Sequence, residues 1–182
     1  MVIILLILFL LIIAVYVFLH LAQFGKLPSG ARLQRIKRSA NYKNGQFQNV
    51  SLTPTMTEGV GFFDVLIQFL FDKKKRVKPV DIIPSVKTDL LNLDPAKDIL
   101  VWFGHSSYFM QVDGKKILVD PVFSGAASPV SFNIKAFKGT DIYTTDDIPG
   151  IDFLFISHDH WDHLDYKTII KLKPKIKNGL LK

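Results

Sequence analysis

The stretch ISHDHWDHLD, residues 156–165, holds three of the chain's five histidines and three aspartates directly after an apolar run. Two histidines that lie two residues apart on a chain leaving a strand can turn both imidazole rings to the same side. His158 and His160 have this spacing, and Asp162 and His163 follow at the expected start of a helix. The loop therefore offers two nitrogens to one metal ion and an oxygen and a nitrogen to a second, as in two-metal hydrolytic sites. The alternative is an exposed polar loop with incidental histidines, which this spacing behind a strand disfavours.

The segments on either side of this motif predict an α/β fold. Asp113-Gly114 between two apolar segments is a strong two-residue hairpin signal, and Pro174 ends the helix after the motif. The predicted elements are a short extended piece at Val80–Pro84, strands at Ile99–Phe103, Tyr108–Val112, Lys116–Val119 and Phe153–Ile156, the last of them buried, and a helix at Tyr166–Leu172. This order places a ligand site at the carboxyl end of the last strand.

The N-terminal segment Val2–Leu19 contains no charged residue and no proline. At ~1.5 Å per residue, a helix of this length can cross the hydrocarbon core of a bilayer. Residues 1–23 are therefore predicted to be a transmembrane anchor. A cleaved signal peptide is the alternative, but no basic residue precedes the run and no Ala-x-Ala site follows it. Because the basic residues all follow the span, the positive-inside rule predicts a single-pass membrane protein whose remaining chain lies in the cytoplasm.

Residues 24–98 are predicted to form a basic arm with a candidate interfacial helix. Gly61–Asp72 has the apolar spacing of one helical face, which fits either a helix in the lipid headgroups or a helix packed on the domain. A short helix is expected at Ala31–Ser39. Two basic clusters near apolar segments favour contact with anionic membrane lipid. They are Lys26, Arg32, Arg35, Lys37, Arg38 and Lys43, and Lys73, Lys74, Lys75, Arg76 and Lys78.

The composition narrows the partners and the metal ligands. The formal net charge is +7, but no recognition-helix or RNP-like pattern supports nucleic-acid binding. The chain has no cysteine, so nitrogen and oxygen atoms must hold any metal ion.

The motif SHDHWDH, residues 157–163, resembles the metal-binding motif of the metallo-β-lactamase fold. WFGHSSYFMQVDGKKILVDPVFS, residues 102–124, and FGKLPSGARLQRIKRSANYKNGQFQN, residues 24–49, resemble the branch of N-acyl-phosphatidylethanolamine-hydrolysing phospholipase D and its bacterial relatives. The resemblance implies that residues 99–182 are the N-terminal half, truncated here, of an αββα sandwich preceded by one transmembrane helix.

The resemblance also implies a ligand set and a reaction. His158 and His160 would bind one zinc ion, and Asp162 and His163 a second. A further histidine for each ion and a bridging aspartate would come from the second half of the domain, and no histidine follows His163. In the complete family enzyme, a metal-bound hydroxide would attack a phosphodiester of an N-acyl phospholipid type. A lactone or phosphodiester of a soluble metabolite is the alternative within the enzyme class, since ascorbate-phosphate lactonase-like proteins share the GH and DP elements. A non-catalytic, membrane-anchored remnant is the alternative outside it, and a homo-oligomer is compatible with either.

Two further residues belong to the predicted site. His105 follows Gly104 as in the family's GH element and is expected to line the pocket, so that Asp162 and His105 are the predicted catalytic residues; a histidine hydrogen-bonded in a turn is the alternative. Asp120 precedes Pro121. Its carboxylate could accept a hydrogen bond from a ligating histidine and fix the tautomer of that ring, or it could simply initiate an Asp-Pro turn.

Overall fold

The computed structural model describes residues 1–51, 53–54, 56–72 and 77–177. The chain divides into two compact units, Met1–Lys75 and Arg76–Lys182. The boundaries expected from the sequence, after residues 23 and 98, remain predictions.

The first unit begins with helix α1, Val2–Leu19, in which no residue is buried. Among the described residues it is the one helix long and apolar enough to cross a membrane. Helix α2, Gly30–Lys37, lies close to the expected helix. The arm then forms a short antiparallel hairpin of β1, Tyr42–Lys43, and β2, Gln46–Phe47. No strand was predicted in this basic arm, and the hairpin forms because Asn44 and Gly45 both adopt the positive φ that a tight hairpin turn requires.

Helix α3, Phe62–Phe71, confirms the helix expected from the apolar spacing. The backbone N–H of Gly61 donates to Oδ2 of Asp64 at 2.8 Å and so satisfies one open N–H at the start of the helix. No residue of α3 is buried. The basic run Lys73–Arg76 that follows lies outside the described residues.

The second unit contains a four-stranded mixed sheet with the order β3-β4-β5-β6. The strands are β3, Ile99–Gly104, β4, Ser107–Val112, β5, Lys115–Val119, and β6, Phe153–Phe155. The first three form an antiparallel meander, and β6 pairs parallel to β5. The predicted α/β class is therefore confirmed. Val80–Pro84 does not form a strand. It is tied instead to the crossover before β6, where the N–H of Ile83 donates to the carbonyl of Lys138 at 2.9 Å.

The core lies on one face of this sheet. A cross-strand row runs from Val101 through Phe109 and Leu118 to Leu154. Phe109 and Leu118 are fully buried, and Val101 and Leu154 pack against the core cluster that contains them. Helix α4, Tyr166–Leu172, closes this side with the buried side chain of Leu172.

The opposite face of the sheet is apolar and open. Its two rows are Leu100, Met110, Ile117 and Phe153, and Trp102, Tyr108, Val119 and Phe155. Leu100 and Trp102 are 66% and 68% exposed, and Phe155 is 54% exposed. The expectation of a buried last strand is therefore wrong for Phe153 and Phe155. Side chains alternate between the two faces of a strand, and only the face that carries Leu154 packs against the core.

Candidate metal centre

The carboxyl ends of three strands meet at one edge of the sheet. β3, β5 and β6 run in the same direction, because β4 is antiparallel to both of its neighbours and β6 is parallel to β5. His105 follows β3, Asp120 follows β5, and the histidine motif follows β6. The topology therefore brings together residues that are up to 58 positions apart in the sequence, from His105 to His163.

The third aspartate of the motif region, Asp165, is a structural residue. It is 5% exposed and forms the N-cap of α4, where it accepts the N–H groups of Lys167 and Thr168. Its Oδ2 also accepts the hydroxyl of Thr168 at 2.6 Å and the N–H of Ser124 at 2.9 Å. These bonds fix the end of the motif loop against the segment that leaves β5. Asp165 had no predicted role, although an aspartate directly before an apolar helix is the usual signal for an N-cap.

Asp120 is the buried acceptor beneath the loop. The side chain is 2% exposed, and its Oδ2 lies 2.8 Å from Nδ1 of His163. It also accepts the N–H of Ser157 at 2.7 Å on Oδ1 and the hydroxyl of Ser157 at 2.7 Å on Oδ2. An ionised carboxylate can only accept hydrogen bonds, so Nδ1 of His163 must carry the proton. In the neutral ring, the other nitrogen, Nε2, then keeps its lone pair.

The charge on Asp120 is maintained despite burial. Burial alone raises the pKa of this carboxyl, because it disfavours the charged form. The hydrogen bonds from His163 and from the backbone and side chain of Ser157 outweigh burial and hold the pKa below its ordinary value. The carboxylate is therefore ionised at neutral pH and remains an acceptor for His163.

His158 and His160 lie on the solvent side of the loop. Their ring centroids are 4.6 Å apart, and the ring of His158 lies 3.8 Å from that of His163. The hydroxyl of Ser157 lies 3.0 Å from Nδ1 of His158. That hydroxyl already donates to Asp120, so it accepts the Nδ1 proton of His158, and Nε2 of this ring is again the free nitrogen. The rings thus lie side by side, but the assignment of His158 and His160 to one metal ion stays a prediction.

His105 closes the other side of the site. Its Nε2 lies 3.0 Å from Oδ2 of Asp162, and Nε2 of His163 lies 3.8 Å from the same oxygen. One ligand atom from each of the three residues lies within 4.8 Å of the others. Among the described residues, this is the group that could hold a metal ion. Asp162 was predicted to share an ion with His163, and His105 was predicted to line the pocket, but the direct contact between His105 and Asp162 was not predicted.

The donor set fits a divalent metal ion. Imidazole nitrogens and a carboxylate oxygen suit zinc and other first-row metals. His163 is oriented by a carboxylate, an arrangement that usually supports a metal-bound histidine. The side chain of His163 is 14% exposed, whereas those of Asp162 and His105 are 43% and 63% exposed, so the group is open to solvent on one side.

Comparison with known proteins gives the class of this second unit. Residues 99–179 match a family model described as a beta-lactamase superfamily domain. The matched range contains β3 to β6, α4 and the motif loop. This part of the chain is therefore similar to beta-lactamase superfamily domains.

The curated relatives are longer proteins. An uncharacterized protein of Mycobacterium tuberculosis is 29% identical over 136 residues, which are 75% of this chain and 37% of that protein. N-acyl-phosphatidylethanolamine-hydrolyzing phospholipase D 1 of Caenorhabditis elegans is 39% identical over 80 residues, 42% of this chain and 22% of that protein. A UPF0173 metal-dependent hydrolase of Caldivirga maquilingensis is 35% identical over 65 residues, 36% of this chain and 23% of that protein. The partial coverage fits the expectation of an N-terminal half.

Proposed function

We propose that this chain supplies the first half of the active site of a metal-dependent hydrolase, and that the substrate is a phosphodiester of an N-acyl phospholipid. The observation that carries the proposal is the network at the sheet edge. Buried Asp120 holds His163 with its Nε2 toward Asp162, while His105 approaches Asp162 from β3. The similarity to a phospholipase D that hydrolyses N-acyl-phosphatidylethanolamine supports the substrate class.

The residues of the chain have distinct proposed roles. His158 and His160 bind one metal ion, Asp162 and His163 bind a second, and Asp120 orients His163. A bound divalent zinc ion lowers the pKa of water and polarises an oxygen of the substrate. Asp162 and His105 lie on the solvent side, where a phosphodiester would approach. The further ligands would come from the other half of the αββα sandwich, which would also cover the exposed sheet face of Trp102 and Phe155.

The proposed location is the membrane. Helix α1 would anchor the chain as a single span with the rest in the cytoplasm, because the basic residues follow it. A reporter that becomes fluorescent only in the cytoplasm, fused after Lys182, should fluoresce. A phosphatase reporter that is active only outside should stay inactive, and the reverse result would contradict the proposed orientation.

We further propose that α3 lies in the headgroup region of the same membrane. Its apolar side chains are uncovered, with Phe69 83% and Phe71 74% exposed, and a run of four basic residues follows in the sequence. Since the chain has no cysteine, Phe69→Cys creates a single attachment site for a nitroxide label. In anionic vesicles the label should be more accessible to oxygen than to a water-soluble nickel reagent. The matched control is Phe132→Cys in the second unit, which is 80% exposed and should show the opposite preference.

Two measurements test the hydrolase proposal. The first is the coding DNA beyond the codon for Lys182. A continuing frame that supplies further histidines and an aspartate supports the enzyme, and a stop codon supports the non-catalytic alternative. The second is hydrolysis by the protein that this frame encodes. N-acyl-phosphatidylethanolamine in vesicles should be cleaved by the wild type and by His20→Ala but not by His158→Ala, and cleavage of soluble lactones or diesters alone would favour the soluble-metabolite alternative.

A further inference from the structure

We infer that His105 is a third protein ligand for the metal ion held by Asp162 and His163. The described chain then offers this ion two imidazoles and one carboxylate, to which the other half of the domain would add its own ligands. The inference rests on the proposed function, because it concerns the same site. It adds a ligand that the histidine motif does not contain.

The distances suit a shared ion. Zinc lies roughly 2.0–2.2 Å from nitrogen and oxygen ligands in tetrahedral sites, which puts neighbouring ligand atoms about 3.3 Å apart. Nε2 of His105 lies 3.0 Å and Nε2 of His163 lies 3.8 Å from Oδ2 of Asp162. These two separations bracket the tetrahedral value, and one ligand atom from each of the three residues lies within 4.8 Å of the others, so small side-chain movements would bring all three into one coordination sphere.

The backbone around His105 is held in an unusual conformation. His105 has a φ of 49° and follows Gly104 with a φ of 115°. A non-glycine residue in the left-handed region is uncommon and strained. The indole N–H of Trp102 donates to the carbonyl of His105 at 2.8 Å and fixes the bend. The bend turns the imidazole back to Asp162, 57 positions further along the chain.

An ordinary surface ion pair explains the contact between His105 and Asp162 less well than a shared metal ion does. The two side chains are 63% and 43% exposed, and exposed pairs add about 0–1 kcal/mol to stability. Such a small gain does not compensate the strain at His105. A shared metal ion would, because ligand binding to the folded state adds its own free energy.

The inference predicts a definite stoichiometry. Three protein ligands plus water is the arrangement of catalytic zinc sites, whereas two ligands retain metal poorly. The chain should therefore keep one ion through gel filtration. The assignment made from the sequence, in which this chain offers only two ligands to each ion, predicts that metal is retained only weakly.

The test uses the full chain in detergent micelles with Co²⁺ as the probe. Wild-type protein should bind one Co²⁺ per chain with visible absorption bands of low-symmetry coordination. Loss of a residue that merely orients a ligand costs roughly 10–100-fold in affinity, so His105→Ala, which removes a ligand, should lose more than about 100-fold and change the spectrum. His20→Ala, at the exposed end of α1, should bind like the wild type.

A second variant separates a ligand from an orienting residue. Because the chain has no cysteine, His105→Cys should add a near-ultraviolet thiolate-to-Co²⁺ charge-transfer band, and His20→Cys should not. Absence of this band, or wild-type affinity and spectrum in His105→Ala, would overturn the inference. If either result is found but Asp162→Ala still abolishes Co²⁺ binding, the proposed metal site stands without His105 as a ligand. A wild-type chain that retains no Co²⁺ would also overturn the inference, while activity of the longer protein would still test the proposed function.

Discussion

Replacing Asp120 with asparagine tests how the site controls its histidine. The variant keeps the shape of the side chain but turns one acceptor oxygen into an NH₂ donor. If the remaining oxygen keeps the bond from the N–H of Ser157, the new donor faces the Nδ1 proton of His163, which lies 2.8 Å from Oδ2 in the wild type. The conflict is relieved when His163 moves its proton to Nε2. That nitrogen then has no lone pair for a metal ion.

The expected magnitude follows from this change of tautomer. Loss of an orienting partner weakens metal binding by roughly 10–100-fold, which is about 1.4–2.7 kcal/mol at 1.4 kcal/mol per tenfold change. The metal-free chain should also lose stability, because a hydrogen bond to a charged group contributes about 1.5–3 kcal/mol. Asp98→Asn is the matched control. Its exposed carboxylate accepts one N–H, from Asp113, at the turn between β4 and β5.

The assay is a Co²⁺ titration of the full chain in competition with a chelator, together with urea unfolding of the metal-free chain. Asp120→Asn should show both losses, and Asp98→Asn should show neither. If Asp120→Asn bound Co²⁺ within about 3-fold of the wild type, the argument that Asp120 fixes the tautomer of His163 would be refuted.

Three further predictions concern the second unit. Leu118→Ala empties a fully buried site and should lower the free energy of unfolding by about 2–5 kcal/mol, whereas Leu100→Ala on the open face should cost much less; similar urea midpoints would contradict the assignment of the core face. Gly139→Ala should destabilise the unit strongly, as judged by limited proteolysis, because Gly139 has a φ of 93° and a Cβ there would clash with the carbonyl oxygen of Ile83. The backbone N–H of Lys116 is the main cause that lowers the pKa of Asp152, so the stability from this carboxylate is present above its unfolded pKa of about 4 and is lost as pH falls through the lower folded value. Asp152→Asn should therefore be less stable than the wild type at pH of about 6 and should approach it at pH of about 3, and a constant difference in urea midpoint would contradict this.

Local sequence signals predicted much of the sheet. Asp113-Gly114 marked the β4–β5 hairpin, and both residues adopt the positive φ that such a turn requires. The helix after the motif, Tyr166–Leu172, begins and ends where it was expected. These elements are determined by residues that are close together in the chain, so they could be predicted from the sequence.

Burial was harder to predict, because it depends on distant packing. The run Phe153–Ile156 has the composition of a strand buried on both faces, as in parallel sheets. Phe155 is nevertheless 54% exposed. An apolar strand shows that both of its faces suit burial, but it does not show which elements cover them. For the same reason, the sequence left open whether α3 packs on the domain or lies in a membrane.

The directions of the strands explain how His105, whose position was predicted least accurately from the sequence, reaches the site. The hairpin makes β4 antiparallel to β5, and β3 joins the same antiparallel meander. In a meander, every second strand runs in the same direction. β3 must therefore end at the same sheet edge as β5, which is the edge that Asp120 occupies. The parallel pairing of β6 brings the histidine motif to this edge as well. His105 was thus placed in the pocket by its motif, but the contact of its Nε2 with Asp162 also required the left-handed backbone at residue 105. Neither composition nor spacing predicts a left-handed backbone at a histidine. Gly104 and the end of β3 do indicate a turn at this edge of the sheet.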